Sequence, residues 1–200
     1  MMIRIGVTGG TGSGKSTFAK YLAEYLDCPV IDADVLSRRA SADKDVLEAI
    51  RTTFGDEYIA EDGSMDRKKM GALVFSDDAS REKLNGIIHP EVRRMYFRDC
   101  ARFEEDGEAY VIYDCPLLFE CGLQGDVDKT VLVYTDDALR RERIMARDSL
   151  TYEQAESRMA SQMDQDEKLP LANIVVYNDS SLSDLEKAAE LTAQEIKNDR

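Results

Sequence analysis

Ile3-Arg4-Ile5-Gly6-Val7-Thr8 runs without a break into Gly9-Gly10-Thr11-Gly12-Ser13-Gly14-Lys15-Ser16-Thr17. The first stretch is short and mostly apolar, as a strand buried in a parallel sheet reads. The second matches G-x-x-x-x-G-K-[ST] completely. From Lys15 onward, Phe18, Ala19, Leu22, Tyr25 and Leu26 keep helical spacing, and Pro29 to Asp32 is a second short apolar run. Strand, glycine-rich turn, helix and strand make a βαβ unit, which predicts an α/β fold with a parallel sheet.

The chemistry of that turn follows from its spacing. Glycines let the backbone curl until successive N–H groups converge on one anion, and the helix behind adds unpaired donors and a positive dipole end. In this frame Gly9, Thr11, Gly12, Ser13, Gly14, Lys15, Ser16 and Thr17 form a nucleotide-phosphate site. Lys15 reaches the β- and γ-phosphates, and the Ser16 hydroxyl holds Mg²⁺. The bland alternative, a glycine turn with an exposed lysine, fits poorly between a strand and a helix.

Further along, residues 44 to 104 show helical patterning without convincing strands. Val46, Ile50 and Phe54 mark one helix, stopped at Gly55, and Asp66 to Phe75 reads as another. Leu84, Ile87 and Ile88 mark a third, expected to end at His89-Pro90, with Pro90 opening a fourth through Val92, Tyr96 and Phe97. Strands resume at Ala109 to Asp114, Thr130 to Tyr134 and Asn173 to Tyr177. Asp136 to Asp148 is a basic helix, Thr151-Tyr-Glu-Gln154 fits a capping box, and Leu182 to Ile196 is a last amphipathic helix.

The chain has 200 residues, 43% hydrophobic and 33% charged, with a formal net charge of −14. That composition is globular, and its acidity works against a bare nucleic-acid backbone or an anionic membrane. No apolar run approaches the ~20 residues that span a bilayer, and the N-terminus shows no cleavable signal. A cytoplasmic protein is expected. Cys28, Cys100, Cys115 and Cys121 form no metal or redox spacing and read as reduced, mostly buried thiols. His89, the single histidine, excludes a two-histidine metal site and weakens the case for a triad hydrolase. By spacing alone His89-Pro90 reads as structural.

Three further features bear on chemistry. Asp32 and Asp34 end the second strand, where ligands lie in open parallel sheets. Two readings of Asp34 stand equal: a base for an attacking hydroxyl, or a helix N-cap before Val35-Leu36. Asp114 ends an apolar strand in the manner of a metal-directed acid, or is a turn residue before Pro116. Arg140, Arg143 and Arg147 share a helix face, which suits either a lid over transferring phosphates or a solvated charge run. Three functions remain open on residues alone: a kinase with a small acceptor, a nucleoside or nucleotide kinase, and a nucleotide-dependent switch. A GTPase is disfavoured because no N-K-x-D segment is present.

Taken together, the motifs resemble one family. They are G-V-T-G-G-T-G-S-G-K-S-T, D-A-D-V-L-S-R at Asp32 to Arg38, D-R-K-K-M-G-A-L-V-F at Asp66 to Phe75, and I-I-H-P at Ile87 to Pro90. D-C-P-L-L-F-E at Asp114 to Glu120, R-I-M-A-R-D at Arg143 to Asp148, R-M-A-S-Q-M at Arg158 to Met163, and Asn178 complete the set. This combination resembles dephospho-coenzyme A kinases over nearly the whole chain. The resemblance implies a P-loop NTPase-type three-layer sandwich: a core of residues 1–34 and 105–200, a helical lid at about 137–165, and a helical acceptor-binding insertion at 35–104. It implies ATP and Mg²⁺ as cofactors, dephospho-CoA as acceptor, and phosphorylation of its ribose 3′-hydroxyl. It assigns Asp34 as base, Arg143 and Arg147 to the lid, and Asn178 to the adenine. Asp32, Arg38, His89, Pro90, Leu117, Leu118 and Glu120 go to the acceptor side, and Ser16 and Asp114 to the metal. Arg140 lies outside the family pattern, and its lid role rests on helix spacing. Tyr177 stands where the family usually has aspartate, and Asp179-Ser180 where it usually has Ser-Gly, which loosens the match at the adenine and not at the phosphates. A monomer or weak oligomer, with small-molecule partners only, is expected.

Overall fold

The computed structural model describes residues 1–199. In chain order its main elements are β1 (Ile3–Thr8), α1 (Lys15–Leu26), β2 (Val30–Asp32), α2 (Ala33–Ala40), α3 (Lys44–Phe54), α4 (Arg67–Ser76) and α5 (Asp78–Glu105). There follow β3 (Tyr110–Asp114), β4 (Lys129–Tyr134), α6 (Asp137–Asp148), α7 (Tyr152–Ala160), α8 (Gln165–Lys168), β5 (Ile174–Tyr177) and α9 (Leu182–Asn198). The chain divides into two compact units, residues 1–32 with 103 onward, and residues 33–102. The borders expected from sequence lay two residues further on in each case.

The first unit is built on a five-stranded sheet in the order β2-β3-β1-β4-β5, with every pairing parallel. Parallel strands covered on both faces read as apolar runs, and β3 is buried along its whole length. Ile5 and Val7 of β1, Phe18 and Leu22 of α1, Ile112, Val131 and Val133 are fully buried together with Ala189 and Ile196 of α9. Helices α1 and α9 pack against one another over this core. The capping box expected at Thr151 and Gln154 forms at the start of α7.

The second unit is helical. Asp43 caps α3 by accepting from the Asp45 N–H, and Asp66 caps α4 by accepting from the N–H groups of Lys68 and Lys69. Gly55 ends α3 at a φ of 107°, as its position suggested. The chain does not stop at His89 and restart at Pro90; α5 is a single helix of 28 residues with Pro90 inside. An interior proline costs about 3 kcal/mol through a lost hydrogen bond and a clash with the preceding turn. The buried residues explain why the helix survives: Leu84 and Ile88 before the proline and Met95, Tyr96 and Cys100 after it form one stripe in continuous helical register. A break at Pro90 would rotate half of that stripe into solvent.

Among the described residues, no helix is long and apolar enough to cross a membrane. All four cysteines are free thiols, Cys100 and Cys115 buried and Cys28 and Cys121 partly so.

Candidate active site

The turn from Gly9 to Gly14 leaves the end of β1 and delivers the chain into α1 at Lys15. Gly14, at the N-cap of α1, has a φ of 84°, in the left-handed region that only glycine enters cheaply. A Cβ there would also clash with the Asn178 amide nitrogen. At Gly10 the constraint is contact instead, since a Cβ would clash with the Arg140 guanidinium.

The loop carbonyls are held from outside. Arg140 Nε donates to the Thr11 carbonyl at 3.0 Å and Arg143 to the Gly12 carbonyl at 3.5 Å. The Ser13 carbonyl accepts from Asn178 Nδ2 at 2.7 Å and Thr135 Oγ1 at 3.1 Å. In a trans peptide the C=O and the next N–H point in opposite directions. Fixing the carbonyls of Thr11 and Ser13 outward therefore turns the amides of Gly12 and Gly14 inward, which is the arrangement an anion needs.

At the foot of the loop Lys15 Nζ is paired with Asp114 Oδ1 and lies 3.4 Å from Ser16 Oγ. Asp114 is buried at the carboxyl end of β3, in register with Val7 of β1 and Asp32 of β2. It belongs to the strand, so the turn reading before Pro116 falls away. Asp32, by the same register, closes the exposed carboxyl end of β2 beside it.

The basic helix α6 does not present one uniform arginine face. Arg140 is 4% exposed, with its side chain also on Asp137 Oδ1 at 2.7 Å, so it buttresses the loop and is not part of a solvated stripe. Arg143 reaches the loop and also the Asn178 carbonyl at 3.1 Å. Arg147 is turned to its neighbour, with two 2.8 Å bonds to Asp148 that hold its guanidinium above and the carboxyl below their usual ranges. Arg141 points to Glu156 and Tyr152 of α7.

The remaining candidates scatter. Asn178, assigned to the adenine, is buried with its amide on the loop. Leu118, assigned to the acceptor side, is fully buried, and a Cβ on Gly6 would touch it at 2.8 Å; a side chain without exposed surface offers none to a ligand. Leu117 is 37% exposed. Glu120 Oε1 pairs with the fully buried Lys168 at 2.7 Å and accepts from the Met163 N–H at 3.2 Å. In the second unit, Asp34 sits inside the first turn of α2, so it is not the N-cap of that helix; its charge suits the positive end. Arg38 lies four residues on, which puts it on the same face. His89 and Pro90 are exposed on α5. Burial pushes the thiols of Cys28 and Cys115 up to about 12, so neither is a nucleophile at neutral pH.

A family model for dephospho-CoA kinase matches residues 3–184. The chain belongs to the dephospho-CoA kinase family. That family phosphorylates dephospho-CoA in the last step of coenzyme A synthesis. A dephospho-CoA kinase of Fusobacterium nucleatum is 41% identical over 192 residues, covering 96% of this chain and 97% of the relative. Among solved structures, TT1252 from Thermus thermophilus superposes with a TM-score of 0.83 at 37% identity, covering 98% of both chains. Dephospho-CoA kinase from Campylobacter jejuni gives 0.74 at 30% identity over the whole of both chains. The parallel sheet and glycine turn are thus those of a P-loop kinase fold.

Sequence reasoning missed the outer ring of the loop. Thr135, Gln162 and the loop-facing part of Asn178 carry no spacing signal, though Gln162 lies in the R-M-A-S-Q-M segment already singled out.

Proposed function

We propose that this chain transfers the γ-phosphoryl group of ATP to the ribose 3′-hydroxyl of dephospho-CoA, giving CoA and ADP. The observation that carries this reading is the loop itself: amides turned inward, carbonyls fixed outward, and Lys15 and Asp114 paired at its foot. Lys15 exchanges its carboxylate partner for the β- and γ-phosphates, and Arg143 and Arg147 add positive charge from the lid at 137–165. Asp34 takes the part of the base, aligning the hydroxyl and accepting its proton. Residues 35–104 act as the acceptor lobe, with Asp32, Arg38, His89, Pro90, Leu117 and Glu120 on the acceptor side, and Asn178 supports the adenine end.

The hard oxygen donors Ser16 Oγ and Asp114 beside a phosphate cradle fit Mg²⁺, which takes one or two protein ligands and completes its shell with phosphate and water. Ser16 and Asp114 would hold it, and its charge would screen the phosphates. The setting is the cytoplasm, and the protein works as a monomer or weak oligomer on small molecules.

The test is to mix protein, Mg-ATP and a panel of acceptors, and to follow ADP together with the mass of the product. ADP formed only with dephospho-CoA, and a 3′-phosphorylated product, sustains the reading. Turnover with nucleosides instead, or hydrolysis independent of acceptor, overturns it.

A further inference from the structure

Gln162 stands just beyond α7, and the loop it touches is 151 residues away in sequence. Its Oε1 accepts from the Thr11 N–H at 2.8 Å and from the Thr11 hydroxyl at 3.2 Å. The backbone N–H can only donate, so the atom facing it must be the amide oxygen, and the NH₂ group is the other prong of the fork. Among the described residues that NH₂ group has no acceptor. The prong is rigidly placed: the neighbouring Met163 N–H is tied to Glu120, and Arg158 of α7 bonds Asp148 at 2.6 Å. Gln162 thus satisfies the Thr11 amide and hydroxyl and brings two amide donors up to the loop.

We propose that Gln162 is a further phosphate-binding residue, donating its side-chain NH₂ to the terminal phosphate of the donor nucleotide. Its carbonyl end locks onto Thr11, and Arg140 holds the carbonyl of the same residue from the other side. Hydrogen bonds at both ends of the Thr11 residue tie loop and glutamine together, which lowers the ordering cost of that contact. The inference rests on the reading that this loop grips ATP.

Two variants test it. Gln162→Glu keeps the acceptor for Thr11 but replaces the NH₂ donor with a charged oxygen that repels phosphate; Gln162→Met removes donor and acceptor at similar size without adding charge and is the deciding variant. Binding of Mg-ATP and Mg-ADP is measured by calorimetry, with thermal melting as a check on folding. A hydrogen bond to a charged group corresponds to roughly a tenfold to hundredfold change in affinity. The expected result is a loss of that size for ATP in both variants, with ADP affected several-fold less and melting unchanged. An equal loss for both nucleotides would show Gln162 to be only a brace for the loop, and no loss would show it to be idle. Tighter ATP binding in Gln162→Met would show a plug that the nucleotide must displace. Any of these three overturns the inference while the parent reading stands, provided the wild type still forms ADP in the presence of dephospho-CoA. A wild type without that turnover removes both.

Discussion

Lys15 and Asp114 neutralise each other at the foot of the loop, each with about a tenth or less of its side chain exposed. This gives the lysine two separable roles. Lys15→Ala should lower kcat/KM by about 10²-fold or more through lost transition-state charge. It should also destabilise the fold by about 3–5 kcal/mol, because Asp114 is left buried without a counter-charge. Adding Asp114→Asn should restore melting but not turnover. If the single variant kept wild-type kcat/KM, Lys15 would not be a phosphate ligand. For Asp34 the expectation is different. Asp34→Asn should retain ATP affinity and lower kcat by about 10²-fold or more, as when a general base is lost. Unchanged turnover in steady-state assays would remove Asp34 from that role. At this scale the sequence was informative where chemistry and spacing coincide, as in Gly9 to Ser16. It assigned no role to Thr135, and to Gln162 only a place in the R-M-A-S-Q-M segment, because their partners lie 122 and 151 residues away and leave no periodic trace.

Elements were legible in proportion to their apolar pattern. The strands are visible as β-rich apolar runs, most plainly β3, which is buried along its whole length, while the edge strands β2 and β5 keep Val30, Asp32 and Tyr177 exposed. The sequence divides α5 in two because proline is a breaker in isolation, and only the continuity of its buried stripe outweighs that preference. The tie between the β3 connection and α8 was also hidden. It consists of Lys168, 0% exposed, its ion pair to Glu120, and its 3.4 Å bond to the Pro116 carbonyl. Lys168→Met should therefore cost about 3–5 kcal/mol in denaturant unfolding, by stranding the Glu120 carboxylate. A double variant with Glu120→Gln should recover much of that loss. A single variant as stable as the parent would show that the pair holds nothing together.

For the whole molecule the governing quantity is the net charge of −14. The protein gathers Lys15, Arg140 and Arg143 at the loop while remaining acidic elsewhere, so its phosphate affinity is local. Like charges in excess repel within the compact state, and salt screens them over about 10 Å at 0.1 M. Melting temperature should rise between about 0.01 M and about 0.5 M sodium chloride, as that screening length shortens. A fall over that range would mean that attractive pairs, such as Arg4 with Asp128, outweigh the repulsion.

The uninterrupted passage of α5 through Pro90 carries a mechanical corollary. A proline nitrogen has no hydrogen to give, so the Gly86 oxygen four residues earlier lacks its usual rung. The rod is anchored by side chains on either side of that gap and is softest at it. Bending along α5 is therefore expected to concentrate between Gly86 and Pro90, where the missing hydrogen bond lies.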